Sequence, residues 1–159
     1  MEKNLRIVSY NCRSVRNSLN DVQKLCDKND IVMLQEHWLP KQDLSFLNSI
    51  HNDFIAYSSS PVDLTKGLLV GRPYGGLSVL FNKKLASRLK LVDDNNERLL
   101  FVELNTEDNC RILLVNCYMP YFNTINDVTE YVNLLSEIQS VVINENYCNI
   151  LMLGDFVVR

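Results

Sequence analysis

The sequence predicts a mixed α/β fold, with an α+β arrangement in its middle section. Three observations carry this. The chain opens on a strand, a helical stretch and a buried strand (LRIVSY, then apolar residues at helical spacing, then IVMLQ). A run of short alternating segments follows, separated by polar turns. The final third holds one long amphipathic helical pattern and then a further apolar run, NILML.

Leu5–Tyr10 alternates and is rich in β-branched residues, so it reads as a strand ending at Asn11. Ser14 or Asn17 can cap the next segment, where Val15, Leu19, Val22, Leu25 and Cys26 recur at helical spacing. Asn29-Asp30 is a turn, and Ile31–Gln35 is the second strand. Pro40 breaks the chain, and Leu44–Ile50 reads as a short helix. Phe54–Tyr57, Gly76–Asn82, Leu89–Val92, Leu99–Leu104 and Arg111–Cys117 read as antiparallel strands. Between them lie SSSPVDLTKG, RPYGG, DDNN and TEDN, all loop or turn compositions. Asp127 to Asn144 is the longest helical pattern, capped by Asn126 or Thr124. Val128, Tyr131, Val132, Leu135, Ile138 and Val142 mark its apolar face. Asn149–Leu153 is a buried strand leading into Gly154-Asp155-Phe156.

The 159 residues, 47% of them apolar and 22% charged, suffice for one domain with a real core. No apolar run approaches the roughly 20 residues that span a membrane, and the N-terminus carries no signal-peptide pattern. The expected location is therefore nuclear or cytoplasmic, not secreted. Cys12, Cys26, Cys110, Cys117 and Cys148 contain no CxxC pair, so they read as reduced thiols rather than zinc ligands. A net charge of −3 argues against a strong non-specific grip on nucleic-acid phosphates. The basic pairs Arg13/Arg16, Lys83/Lys84 and Arg88/Lys90 read as solvated surface.

Four side chains stand where apolar strands stop: Asn11, Glu36, Tyr118 and Asp155. In α/β proteins, strand ends are where sites are built. A carboxylate at the edge of a core must be paired or bind a cation, because burying it alone costs several kcal/mol. Two carboxylates, an amide and a phenol make an oxygen-rich set that suits a hard divalent cation such as Mg²⁺. His37, beside Trp38, reads as a structural or surface residue, and Asn116 as paired within the sheet.

The motifs SYNCRS, IVMLQEHW, GGLSVLF, LLVNCYMP and ILMLGDF, in this order, resemble the endonuclease/exonuclease/phosphatase superfamily. Within it they are most similar to the apurinic-type endonuclease domain of non-LTR (LINE-like) retrotransposons. The resemblance implies a two-sheet α/β sandwich with the site at one edge between the sheets. It implies Glu36 as the principal ligand of Mg²⁺ (or Mn²⁺), with Asn11 beside it, ligating the metal or orienting the ligand or the phosphate. Tyr118 would contact the scissile phosphate, and Asp155 would orient or activate the attacking water. The implied reaction is phosphodiester hydrolysis that nicks a target-site DNA duplex. The implied partner is a reverse transcriptase domain of the same polyprotein.

Two departures qualify the resemblance. Val157 stands where the family carries an Asn whose amide holds the phosphate. Family domains also continue through later strands bearing an Asp and an Asp-His pair, and His37 and His51 lie too early to match. Residues 1–159 are thus expected to be one domain without its C-terminal third, with low activity and one sheet partly uncovered. Two alternatives stand beside the endonuclease reading. One is a phosphatase or phospholipase of the same superfamily, and the other a non-catalytic retroelement remnant.

Overall fold

The apolar runs become strands because each has a layer to bury itself against. In a computed structural model of the chain, residues 4–121 and 123–156 are described. They form eight strands and two α-helices: β1 (Ile7–Asn11), α1 (Leu19–Lys28), β2 (Ile31–Gln35), β3 (Phe54–Ser59), β4 (Leu77–Asn82), β5 (Leu89–Asp93), β6 (Leu99–Asn105), β7 (Arg111–Tyr118), α2 (Ile125–Asn144) and β8 (Asn149–Asp155). The strands make two four-stranded sheets, ordered β1-β2-β4-β3 and β5-β6-β7-β8. β1 pairs parallel with β2 and β7 parallel with β8, while the other pairings are antiparallel. This is the two-sheet α/β sandwich expected.

β2 shows why its sequence is apolar without alternation. Ile31 and Met33 face the second sheet, packing with Leu77, Val79, Phe81, Leu100, Val102 and Leu114. Val32 and Leu34 face the opposite side, with Val22 and Cys26 of α1 and Phe54. Both faces are buried, so every position must be apolar. Each such fully buried side chain contributes about 1.5–3 kcal/mol of transfer free energy. A third layer lies outside the second sheet, where Leu99, Phe101, Leu113 and Val115 meet Leu134 and Ile138 of α2.

Several sequence expectations are corrected here. The first helix begins at Leu19, with Ser18 in the cap position and no side-chain cap bond, because residues 12–18 are used to grip the turn after β2. The short helix expected over Leu44–Ile50 is a 3₁₀ helix that begins earlier, over Lys41–Ser49. On α2, Val128, Val132 and Leu135 are exposed, and the packed face is Tyr131, Leu134, Ile138, Val141 and Val142. α2 carries two competing apolar stripes, and only contact with β6 and β7 selects between them. Its N-terminus does use Thr124, in a reciprocal capping box with Asp127. β8 is an edge strand rather than a buried one. Leu151 and Leu153 pack between the sheets, while Ile150 and Met152 are 46% and 37% exposed on its other face. The cysteines follow the expectation: all are free, and burial pushes the thiols of Cys12, Cys26 and Cys117 up to about 12. No helix among the described residues is long and apolar enough to cross a membrane.

Candidate active site at the strand ends

The site begins with the turn that follows β2. Glu36 and Trp38 both adopt left-handed backbone (φ 56° and 57°), a conformation that non-glycine residues hold only when their surroundings impose it. The imposition is visible. Ser14 N–H donates to Glu36 O at 2.9 Å and Val15 N–H to His37 O at 3.1 Å, and on the other side Trp38 N–H donates to Gly75 O at 3.0 Å. The turn is therefore clamped between the loop after β1 and the glycine pair before β4.

His37 anchors this turn from a buried position. Its ring is fully buried, with Leu39 N–H donating to Nδ1 at 3.0 Å and Nε2 2.9 Å from Ser59 O. That fixes the neutral tautomer with its proton on Nε2. The ring lies against Gly76, where any Cβ would stand 2.3 Å from the imidazole. Burial holds the His37 pKa down at about 4. The unfolded chain takes up a proton near pH 6.5 and the folded chain does not until about pH 4, so acidification favours unfolding. Urea unfolding should accordingly show about 2–3 kcal/mol less stability at pH 4.5 than at pH 6.5. A flat profile across this window would mean that the folded ring accepts a proton.

The four strand-end residues meet. In the parallel pairs, Asn11 lies opposite Gln35 and Tyr118 opposite Asp155, so both pairs finish at the same edge of the sandwich. Asn11 Nδ2 donates to Glu36 Oε1 at 2.7 Å and to Asp155 Oδ2 at 2.8 Å, drawing two carboxylates from different sheets onto one amide. Asn11 Oδ1 accepts the Arg13 N–H at 3.2 Å. Asn11 here acts as the orienting residue between two acids, with its oxygen already engaged. Tyr118 has its phenol pKa raised, first by burial and then by the nearby Glu36 carboxylate, with Arg98 opposing. Arg98 sits 5.4 Å over the Tyr118 ring and pairs with Glu130 at 2.6 Å. Glu36, Tyr118, Arg98, Glu97, Tyr74 and Gly75 share a cleft of about 330 Å³.

Beneath this edge a polar plug ties the sheets together. Gln35 Nε2 donates to Asn116 Oδ1 at 2.6 Å, and Asn116 Nδ2 donates to Leu34 O and Ser78 O at 2.9 and 3.0 Å. Both residues are buried. A buried amide pair that is satisfied on each side holds the sheets in one relative setting. Asn116, expected to be paired within its own sheet, instead pairs across to β2 and β4 of the other sheet, and Gln35, Arg98 and Trp38 carry no local signal in the sequence. The Val157 departure lies outside the described residues.

Among the described residues, no group of three or more His, Cys, Asp and Glu side chains gathers as a closed metal cage. Two carboxylates with an open cleft instead suit a hard cation that keeps waters and completes its shell with a phosphate, the usual habit of Mg²⁺. The donor set is all oxygen, which disfavours zinc.

Comparison with known proteins agrees with this construction. The family model described as "Endonuclease/Exonuclease/phosphatase family" matches residues 8–156. No curated protein sequence matches the chain significantly. Among solved structures, an AP endonuclease from Leishmania major aligns with TM-score 0.70 at 15% identity, over 95% of this chain and 54% of that one. The APE2 catalytic domain of Xenopus laevis aligns with TM-score 0.68 at 16% identity, over 95% of this chain and 58% of that one. The 3′ phosphatase NExo from Neisseria, bound to a product DNA hairpin, aligns with TM-score 0.65 at 15% identity, over 96% and 58%. The chain thus spans little more than half the length of these similar structures. With nearly its whole length matched by the family model and its fold shared with these enzymes, the chain belongs to the endonuclease/exonuclease/phosphatase family.

Proposed function

We propose that this chain is built for divalent-cation-dependent hydrolysis of a phosphodiester in DNA. The observation that carries the reading is the convergence of Glu36 and Asp155, from separate sheets, on the single amide of Asn11. Glu36 and Asp155 would hold the cation, which when bound lends positive charge to the phosphate under attack. Asn11 fixes the separation and orientation of the two acids. The carboxylate of Asp155 would orient a water and accept its proton. The Tyr118 phenol, protonated at neutral pH as tyrosines ordinarily are, would donate to a phosphate oxygen as charge accumulates. Arg98, packed over that ring, sets its direction.

The sequence motifs favour a duplex target nicked in the service of a non-LTR retrotransposon, with a reverse transcriptase domain as the partner in the same polyprotein. The test is conversion of supercoiled plasmid to open circle by the purified chain. Slow nicking is expected that requires Mg²⁺ or Mn²⁺, stops with a chelator and is lost in Asp155→Asn. Phosphate release from inositol phosphates or from 3′-phosphorylated oligonucleotides, with no nicking, would instead favour the phosphatase reading. One of the similar structures is itself a 3′ phosphatase.

A further inference from the structure

The sole tryptophan of the chain, Trp38, lies two residues after Glu36 in the left-handed turn described above. Its indole folds back so that Nε1–H donates to Glu36 Oε2 at 3.2 Å. The other carboxylate oxygen, Oε1, takes the Asn11 amide at 2.7 Å. Both oxygens of Glu36 thus face a fixed N–H donor, and the plane of the carboxylate is set from two sides. Arg72 stacks over the indole, its guanidinium carbon 4.2 Å from the ring centroid. Arg72 belongs to the same loop whose Gly75 carbonyl accepts the Trp38 N–H. One segment therefore fixes the Trp38 backbone and caps its ring.

We infer that Trp38 is a positioning residue for the cation site, holding the Glu36 carboxylate in its ligating orientation while Arg72 clamps the indole in place. This rests on the cation-site reading above and adds a second support to it. The physical ground is preorganisation: a ligand carboxylate free to rotate must be ordered when the ion binds, and outer hydrogen bonds of this kind typically govern affinity by 10–100-fold. An exposed arginine stacked on an indole is attracted to the ring face and biases a surface ring toward one rotamer. Acting through Glu36, Trp38 should show its effect in cation affinity rather than in the chemical step.

The experiment is Mn²⁺ titration followed by calorimetry and, where Trp38 is present, by its fluorescence. In the parent, Mn²⁺ should quench the indole emission saturably, and Glu36→Gln should remove that quenching. Trp38→Phe keeps a ring beneath Arg72 but deletes the N–H donor, and its Mn²⁺ dissociation constant should rise 10–100-fold. Arg72→Ala alters only an exposed side chain, so it keeps the test open if Trp38→Phe folds poorly. It should weaken Mn²⁺ binding and speed the decay of indole anisotropy. A Trp38→Phe protein that melts like the parent without cation and binds Mn²⁺ with the parent's affinity overturns the positioning role. Parent-like affinity and anisotropy in Arg72→Ala overturn the clamp. A parent that binds no Mn²⁺ overturns the cation site itself, and the role of Trp38 with it.

Discussion

Glu36→Gln is expected to abolish the cation-dependent rise in melting temperature while leaving the metal-free protein folded. The amide oxygen of Gln can still accept from Asn11 Nδ2, 2.7 Å away in the parent, while its NH2 replaces the oxygen that accepts from Trp38 at 3.2 Å. What disappears is the charge and that one bond. A ligand that binds only the native state at 100 times its dissociation constant stabilises by about 2.7 kcal/mol. For a chain of this size that corresponds to about 5–10 °C in melting temperature. The parent should show this rise with saturating Mg²⁺ and the variant none, measured by differential scanning calorimetry with and without chelator. Asp155→Asn should lower the rise without removing it, if Glu36 is the principal ligand. Equal rises in parent and Glu36→Gln would place the cation elsewhere.

How much of this was legible in the sequence depends on the kind of information each feature needs. β2 was read with correct bounds because burial on both faces leaves a continuous apolar run that a short buried strand explains. The four site residues were found by one rule, that an apolar strand ending in a polar side chain marks a sheet edge where ligands bind. Their meeting was a hypothesis of topology. It is set by β1/β2 and β7/β8, parallel pairs that end at the same edge. The packed face of α2 was misread because the helix is apolar on more than one side, with Ile125 and Val132 78% and 54% exposed. Periodicity cannot rank two stripes when both are apolar; only the sheet beneath does. The roles of Gln35, Trp38 and Arg72 were invisible for a different reason. Each depends on a partner far away in the chain, Asn116 for Gln35 and the Gly75 loop for Trp38, and on backbone torsions that no local composition announces. Glu36 and Trp38 in left-handed backbone break the expectation that such positions are glycine or asparagine. Local rules tend to fail at functional sites in this manner, because tertiary contacts over-determine the conformation.

Gly154→Ala is expected to be the most damaging conservative substitution in the chain. β8 lies beside β7 in parallel register, with Gly154 opposite Cys117 and Asp155 opposite Tyr118. A Cβ at Gly154 would stand 2.0 Å from the Cys117 carbonyl oxygen, 2.7 Å from its carbon and 2.9 Å from its nitrogen. These are backbone atoms of a central strand, buried and hydrogen-bonded on both sides, so no flexible side chain can give way. Relief requires β8 to move off β7, which breaks the ladder at the point where Asp155 is presented to Asn11. A loss of more than about 3 kcal/mol follows, at the upper end of what overpacking costs. The cation response should fall with it, because the distance from Asp155 to the Glu36 side of the site is set by that pairing. Gly71→Ala separates the two contributions. Gly71 has φ +91° with nothing within 4 Å of an added Cβ, so it bears conformational strain without a clash. Its cost should be about 1–2 kcal/mol, with the cation response retained. If Gly154→Ala costs no more than Gly71→Ala in urea unfolding, β8 is free to shift against β7, and the position of Asp155 is then set by something other than the sheet.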